Sequence, residues 1–170
     1  MKLLAVPALR LTATTLPDAL DAVFGQDTLR RVHGPSVTGA FDFGPDGRRA
    51  FDFEVDVSAV PAPIRCFFCG PRLRVTTAQT LARPEPSACW RVSNSIRMHF
   101  VGSELFRIRP EFELTRHEDG RIVVAGTVRH DASLPPPLSG IAERFMAAHS
   151  ERELRRFARE LRLTGAAAAE

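Results

Sequence analysis

The chain has 170 residues, enough for one domain with its own core, and its 44% hydrophobic and 25% charged content is ordinary for a soluble globular protein. A net charge of +3 and a pI near 9.2 are too mild to signal a nucleic-acid partner. Twelve Phe and one Trp, with no Tyr, suit a packed core better than stacking on bases or sitting at a membrane surface.

The opening Met1-Lys2-Leu3-Leu4-Ala5-Val6-Pro7-Ala8 starts like a signal peptide, but Pro7 and Arg10 break its apolar run too early for an export or membrane segment. Three cysteines make no disulfide framework, so a reducing, cytoplasmic setting is expected. Leu9 to Thr14 reads as a first strand. Thr15 is placed to cap a helix opening at Leu16, with Pro17 and Asp18 in its first turn, Leu20, Val23 and Phe24 on its apolar face, and Gly25 at its end. A second helical piece covers Thr28 to Val32 and stops at Gly34-Pro35.

Strand alternation then takes over. Val37 to Phe43 and Ala50 to Val57 flank the turn Gly44-Pro45-Asp46-Gly47, which reads as a hairpin. Within the second strand, Phe51-Asp52-Phe53-Glu54-Val55-Asp56-Val57 alternates apolar and acidic throughout, giving one greasy and one wet face. The proline-rich crossing Pro61-Ala62-Pro63 leads to a strand from Arg72 to Gln79, and Arg83-Pro84-Glu85-Pro86 is another turn. Next, Trp90, Val92, Asn94, Ile96, Met98 and Phe100 share one face of a long strand, with Arg91, Ser93, Ser95, Arg97 and His99 on the other. Phe106, Ile108, Phe112 and Leu114 form the following strand, and Ile122, Val124 and Val128 the last, after the turn at Glu118-Asp119-Gly120; Val123 and Val124 leave its facing open. From Leu138 the period becomes helical: Leu138, Ile141, Phe145, Met146, Ala148, Leu154, Phe157 and Leu161 line one broad face. Residues 1–170 are expected to form one domain, with 164–170 a frayed tail.

No catalytic motif survives inspection. Cys66-Phe67-Phe68-Cys69 lacks the second ligand pair of a zinc site and the strand–helix context of a redox motif, so packed thiols are expected. Asp52, Glu54 and Asp56 lie on a strand face, not in a calcium-wrapping loop, and are expected to pair with Arg72 and Arg74. There is no HExxH, nucleophile elbow, P-loop or GxGxxG, so neither a metal nor a cofactor is expected. The polar residues on apolar strand faces, Asn94, Thr77 and Gln79, carry more information. A mostly apolar cavity with a few placed polar groups is the composition of a small-molecule site.

The order of a strand, short helices, antiparallel strands and a long terminal helix resembles the START-like helix-grip superfamily, an α+β fold. Its curved antiparallel sheet wraps the last helix around a hydrophobic cavity. Within it, Arg74-Val75, Gln79 and Cys89-Trp90-Arg91-Val92 look like the central tract of VASt domains, the sterol-binding modules of Aster-type proteins. Phe106, Phe112-Glu113-Leu114-Thr115-Arg116, the Arg121 to Val128 strand and Ile141-Ala142-Glu143 extend the likeness over about Leu16 to Leu163. Val101-Gly102-Ser103-Glu104 replaces the proline–tyrosine loop of those domains, and their tyrosines are absent.

The resemblance implies a soluble binder or carrier of a lipid or sterol, with transient membrane contact and no nucleic-acid partner. Trp90, Ile96, Met98, Phe100, Phe106, Phe112 and Phe145 would line the cavity, and Thr77, Gln79 and Asn94 would orient the polar end of the ligand. Access would need movement near Gly102 or of the terminal helix. The alternatives are an enzyme of the same fold, such as a polyketide cyclase or aromatase, with His130 its one candidate group, and a protein-interaction module with a filled core.

Overall fold

A computed structural model describes residues 2–66, 70–83, 89–100 and 103–168. Seven strands, β1 (Lys2–Leu11), β2 (Thr38–Gly39), β3 (Arg48–Asp56), β4 (Arg72–Ala82), β5 (Cys89–Phe100), β6 (Ser103–Arg116) and β7 (Ile122–Ala132), make one antiparallel sheet in the order β1-β7-β6-β5-β4-β3-β2. Helices α1 (Leu16–Phe24), α2 (Gln26–His33), the short α3 (Ala62–Arg65) and the long α4 (Leu138–Leu163) complete the α+β architecture. The layout follows from pattern: β2 to β7 run as a meander in which consecutive strands pair antiparallel, and β1 closes on β7.

Side-chain alternation sets which face of the sheet is inner. Phe51 and Phe53, Val75, Val92, Phe106, Ile108, Phe112, Leu114, Ile122, Val124 and Val128 are all buried. Val124 is inward and Val123 is not, which resolves the facing of β7. The outer face carries Arg72 paired with Glu54 at 3.1 Å, Arg74 with Asp52, Arg91 with Glu113 at 2.7 Å and Arg109 with Asp131. The expected Arg72 and Arg74 pairing therefore holds for Glu54 and Asp52; Asp56 instead accepts from the Ser58 backbone N–H at 2.7 Å. Exposed pairs of this kind each contribute about 0–1 kcal/mol, so stability comes from the inner face. Helix α4 buries Ala142, Met146, Ala147, Ser150 and Leu161 against that face, with Phe145, Leu154 and Phe157 partly buried beside them.

Several boundaries differ from those read in the sequence. Strand β1 begins at Lys2 and ends at Leu11; the register with β7 shifts between Val6 and Leu9, and this irregularity is what accommodates Pro7. Strand β2 is only Thr38–Gly39, because Gly39 takes φ 127 and the chain after it folds over Arg49. The Pro61–Pro63 crossing is partly helical as α3, its Ile64 fully buried. In α4, Ala148 is exposed and Ala147 buried, a shift of one position around the helix. At the tail, Gly165 turns the chain with φ 71, Thr12 donates to the Ala166 carbonyl at 3.0 Å, and Ala168 donates to that of Arg10 at 2.9 Å. Ala167 is thereby buried against β1. The Pro84-Glu85-Pro86 turn, Phe67 to Cys69 and the loop at Gly102 lie outside the described residues. Thr15 caps α1 as expected, its side chain accepting from the Asp18 N–H. Among the described residues, no helix is long and apolar enough to cross a membrane.

Candidate functional site

Between the inner face of the sheet, α2 and α4 lies a cavity of about 280 Å³. Its floor comes from alternate residues of successive strands: Phe51 and Phe53, then Thr77 and Gln79, then Asn94, Ile96 and Met98, then Ile108, Pro110 and Phe112, and Val128. Val23, Phe24, Leu29 and Val32 from α1 and α2 and Ser150, Leu154 and Phe157 from α4 cover it. The wall also includes the exposed Glu54 and Arg156, with His33, His149 and Glu153 beside them, so the cavity reaches solvent between β3, α2 and α4.

Pairing register explains why the polar floor residues come together. Gln79 stands opposite both Arg49 and Asn94, making a row across three strands, and Thr77 stands opposite Ile96, diagonal to Asn94. Arg49 anchors one end of the row. It is 6% exposed, donates from Nε to Gln79 Oε1 at 2.6 Å and from its terminal nitrogens to the carbonyls of Phe24 at 2.7 Å and Phe41, and lies 4.2 Å from the Phe43 ring centre. Burial pulls its pKa down to about 10, which still leaves it charged at neutral pH. Sequence reading missed Arg49, although it falls in phase with Phe51 and Phe53 and so announces an inward charge.

Thr77 Oγ1 and Asn94 Oδ1 are buried and have no hydrogen-bond partner among the described residues. At the roof, Ser150 Oγ lies 2.8 Å from Nε2 of His130, a wholly buried histidine on β7. At the mouth, His33 stacks on Phe53 with ring centres 4.4 Å apart. Burial chiefly, with help from the Arg156 and His149 charges, lowers its pKa to about 4. Burial also lowers that of His149, whose ring stacks on Phe145 at 6.0 Å. The cavity mouth is thus lined by two neutral imidazoles at pH 7.

Of the residues picked from sequence, the structure places Thr77, Gln79, Asn94, Ile96, Met98 and Phe112 on the cavity wall. Trp90 belongs elsewhere, in a separate pocket of about 800 Å³ with Arg49 and Phe43, its ring 4.7 Å from the Arg83 guanidinium. Phe106 is buried in the core and Phe145 packs on His149, neither lining the cavity; the Phe100 side chain lies outside the described residues. Cys66 is exposed, its thiol donating to the Pro63 carbonyl at 3.3 Å rather than packing inward.

The fold compares with solved structures at low sequence identity. An aromatase/cyclase, ZhuI from Streptomyces sp. R1128, matches with 12% identity and a TM-score of 0.53, covering 94% of this chain and 92% of that one. Ara h 8.0201 matches with 14% identity and a TM-score of 0.48 over 94% of this chain and 98% of that one. Human STARD10 matches with 12% identity and a TM-score of 0.47 over 92% of this chain and 61% of that one. No family model matches the sequence, and no curated protein matches it. The seven-stranded antiparallel sheet gripping a long C-terminal helix is a helix-grip fold, the fold shared with that aromatase/cyclase.

Proposed function

We propose that this protein binds or carries a hydrophobic small molecule in the cavity between the sheet and α4. The observation that supports it is the cavity itself: a largely apolar wall of Phe, Ile, Met, Val and Leu side chains, interrupted by Thr77, Gln79 and Asn94. At about 280 Å³ it falls near the lower edge of small-molecule sites, which run from roughly 300 Å³ upward. At about 30 Å³ per water-sized group that is room for on the order of ten non-hydrogen atoms. Removal of apolar ligand surface from water, at about 25 cal/mol per Å², drives the binding. A lipid or a sterol, the chemical class we favour, fills this space and either projects through the mouth or displaces α4. Loading by brief membrane contact and a cytoplasmic place of work belong to the same reading.

Titration with an apolar fluorescent probe tests it. The wild-type chain binds the probe, and Ile96→Trp, which puts an indole into the cavity, loses at least about tenfold in affinity while keeping its circular dichroism. Equal binding by both chains places the probe elsewhere and removes the support.

One observation favours a second reading, an enzyme of the same fold. The His130–Ser150 contact sets a buried imidazole behind a hydroxyl on the cavity wall, the arrangement a proton-transfer site requires. The most similar fold reported above is that of an aromatase/cyclase. Turnover of a bound polyketide-like phenol precursor that is lost in both Ser150→Ala and His130→Asn would move this reading ahead of the carrier.

A further inference from the structure

Charge is distributed unevenly around the cavity. All of the charged residues on its wall, Glu54, Glu153 and Arg156, belong to the mouth, two acidic against one basic. The buried Arg49 nearby is not on the wall, and its donors go to Gln79 Oε1 and to the carbonyls of Phe24 and Phe41. An anionic group carried to the floor would meet no counter-charge there, and burying an unpaired carboxylate is prohibitive. The floor does offer unmet hydrogen bonding. Thr77 Oγ1 and Asn94 Oδ1 are both buried, both belong to cavity-wall residues, and neither has a partner among the described residues. Asn94 Oδ1 only accepts; the Thr77 hydroxyl donates and accepts. Their diagonal placement on neighbouring strands sets the two residues about 7–8 Å apart, somewhat less at Cβ, a gap that one oxygen between two hydrogen bonds spans.

We propose that the cavity selects an uncharged molecule bearing a hydroxyl, an alcohol or a phenol, bound with that hydroxyl inward between Asn94 and Thr77. The hydroxyl donates to Asn94 Oδ1 and accepts from Thr77 Oγ1, meeting both unpaired oxygens at once. Neither oxygen is open to solvent, and small thermal rotations of the two side chains bring them to the ligand. Carboxylate- and phosphate-headed amphiphiles are disfavoured in this orientation. This inference rests on the ligand-binding reading above and narrows its chemistry.

Three ring compounds of matched size separate the two claims: naphthalene, 2-naphthol and 2-naphthoate, titrated calorimetrically into the full chain at pH 7. The expected order puts 2-naphthol at least about fivefold tighter than naphthalene, despite its lower hydrophobicity, with 2-naphthoate weakest. Thr77→Val, close in shape, and Asn94→Leu each abolish the preference, so that 2-naphthol binds no tighter than naphthalene does to the same variant. Should Asn94→Leu fail to fold, Thr77→Val alone decides. Equal binding of naphthalene and 2-naphthol, or tightest binding of 2-naphthoate, overturns the hydroxyl inference and leaves a hydrophobic cavity standing. Binding of none of the three overturns the ligand-binding reading itself.

Discussion

His33 makes the mouth of the cavity sensitive to acid. It stacks on Phe53 at the end of α2 and, with Glu54, His149, Glu153 and Arg156, lines the opening. Burial, reinforced by the Arg156 and His149 charges, lowers its pKa from 6.5 to about 4. The unfolded chain therefore binds a proton near pH 6.5 that the folded chain refuses until about pH 4. Stability is whole above pH 6.5 and declines through that interval. At about 1.36 kcal/mol per pH unit the full loss amounts to roughly 3 kcal/mol, an upper figure because the mouth is partly wetted. His149, also shifted down by burial, adds to the same slope, while the depressed Asp52 carboxylate acts only below its ordinary pKa of 3.8. Replacing His33 with Phe keeps an aromatic ring on Phe53 and removes the titrating group. Urea unfolding between pH 7.5 and 4 should show the wild type losing up to about 3 kcal/mol more than His33→Phe. Parallel stability profiles for the two chains would refute the assignment of a neutral, buried His33.

Other consequences follow from single contacts. A Cβ at Gly126 would meet the Glu111 carbonyl oxygen at 2.1 Å and the Phe112 Cα at 3.1 Å, so Gly126→Ala forces β6 and β7 apart. It should cost about 1–3 kcal/mol in chemical denaturation, and an unchanged midpoint would contradict that close approach. Arg49→Met removes the donors that satisfy Gln79 Oε1 and the Phe24 and Phe41 carbonyls, and should destabilise by about 2–4 kcal/mol. Wild-type stability in that variant would show that solvent or neighbours replace the guanidinium freely. Ala167→Asp places a carboxylate where the tail packs on β1 at 4% exposure; a thermal midpoint lowered by several degrees is expected, and none if the tail contributes little.

Alternation made most of the sheet legible. Phe51 to Val57 and Trp90 to Phe100 each declare one apolar face, and the change of period at Leu138 announces α4. Asn94, Thr77 and Gln79 stood out because a polar residue on an apolar strand face breaks a simple rule, and all three line the cavity. What failed to show depends on contacts between distant segments. Trp90 shares its strand face with Ile96 but sits beyond the end of the cavity, since facing says nothing about position along a curved sheet. Arg49 lies just before the strand that alternation marks from Ala50, although β3 begins at Arg48. Its inward place depends on partners from α1 and the segment after β2. Ser150 and His149 lie on α4 among ordinary helix residues, and only packing against β7 and α2 makes them part of the site. The pairing of the tail with β1 likewise carries no local signal, for alanines follow either course.

Native mass spectrometry of the purified chain, paired with mass analysis of its organic extract, tests most directly whether the cavity between sheet and α4 holds a hydrophobic molecule. The expected result is a reproducible bound species that extraction removes and that Ile96→Trp fails to retain. A bare protein mass, unchanged after incubation with sterols, fatty alcohols and small phenols, would contradict the ligand-binding function.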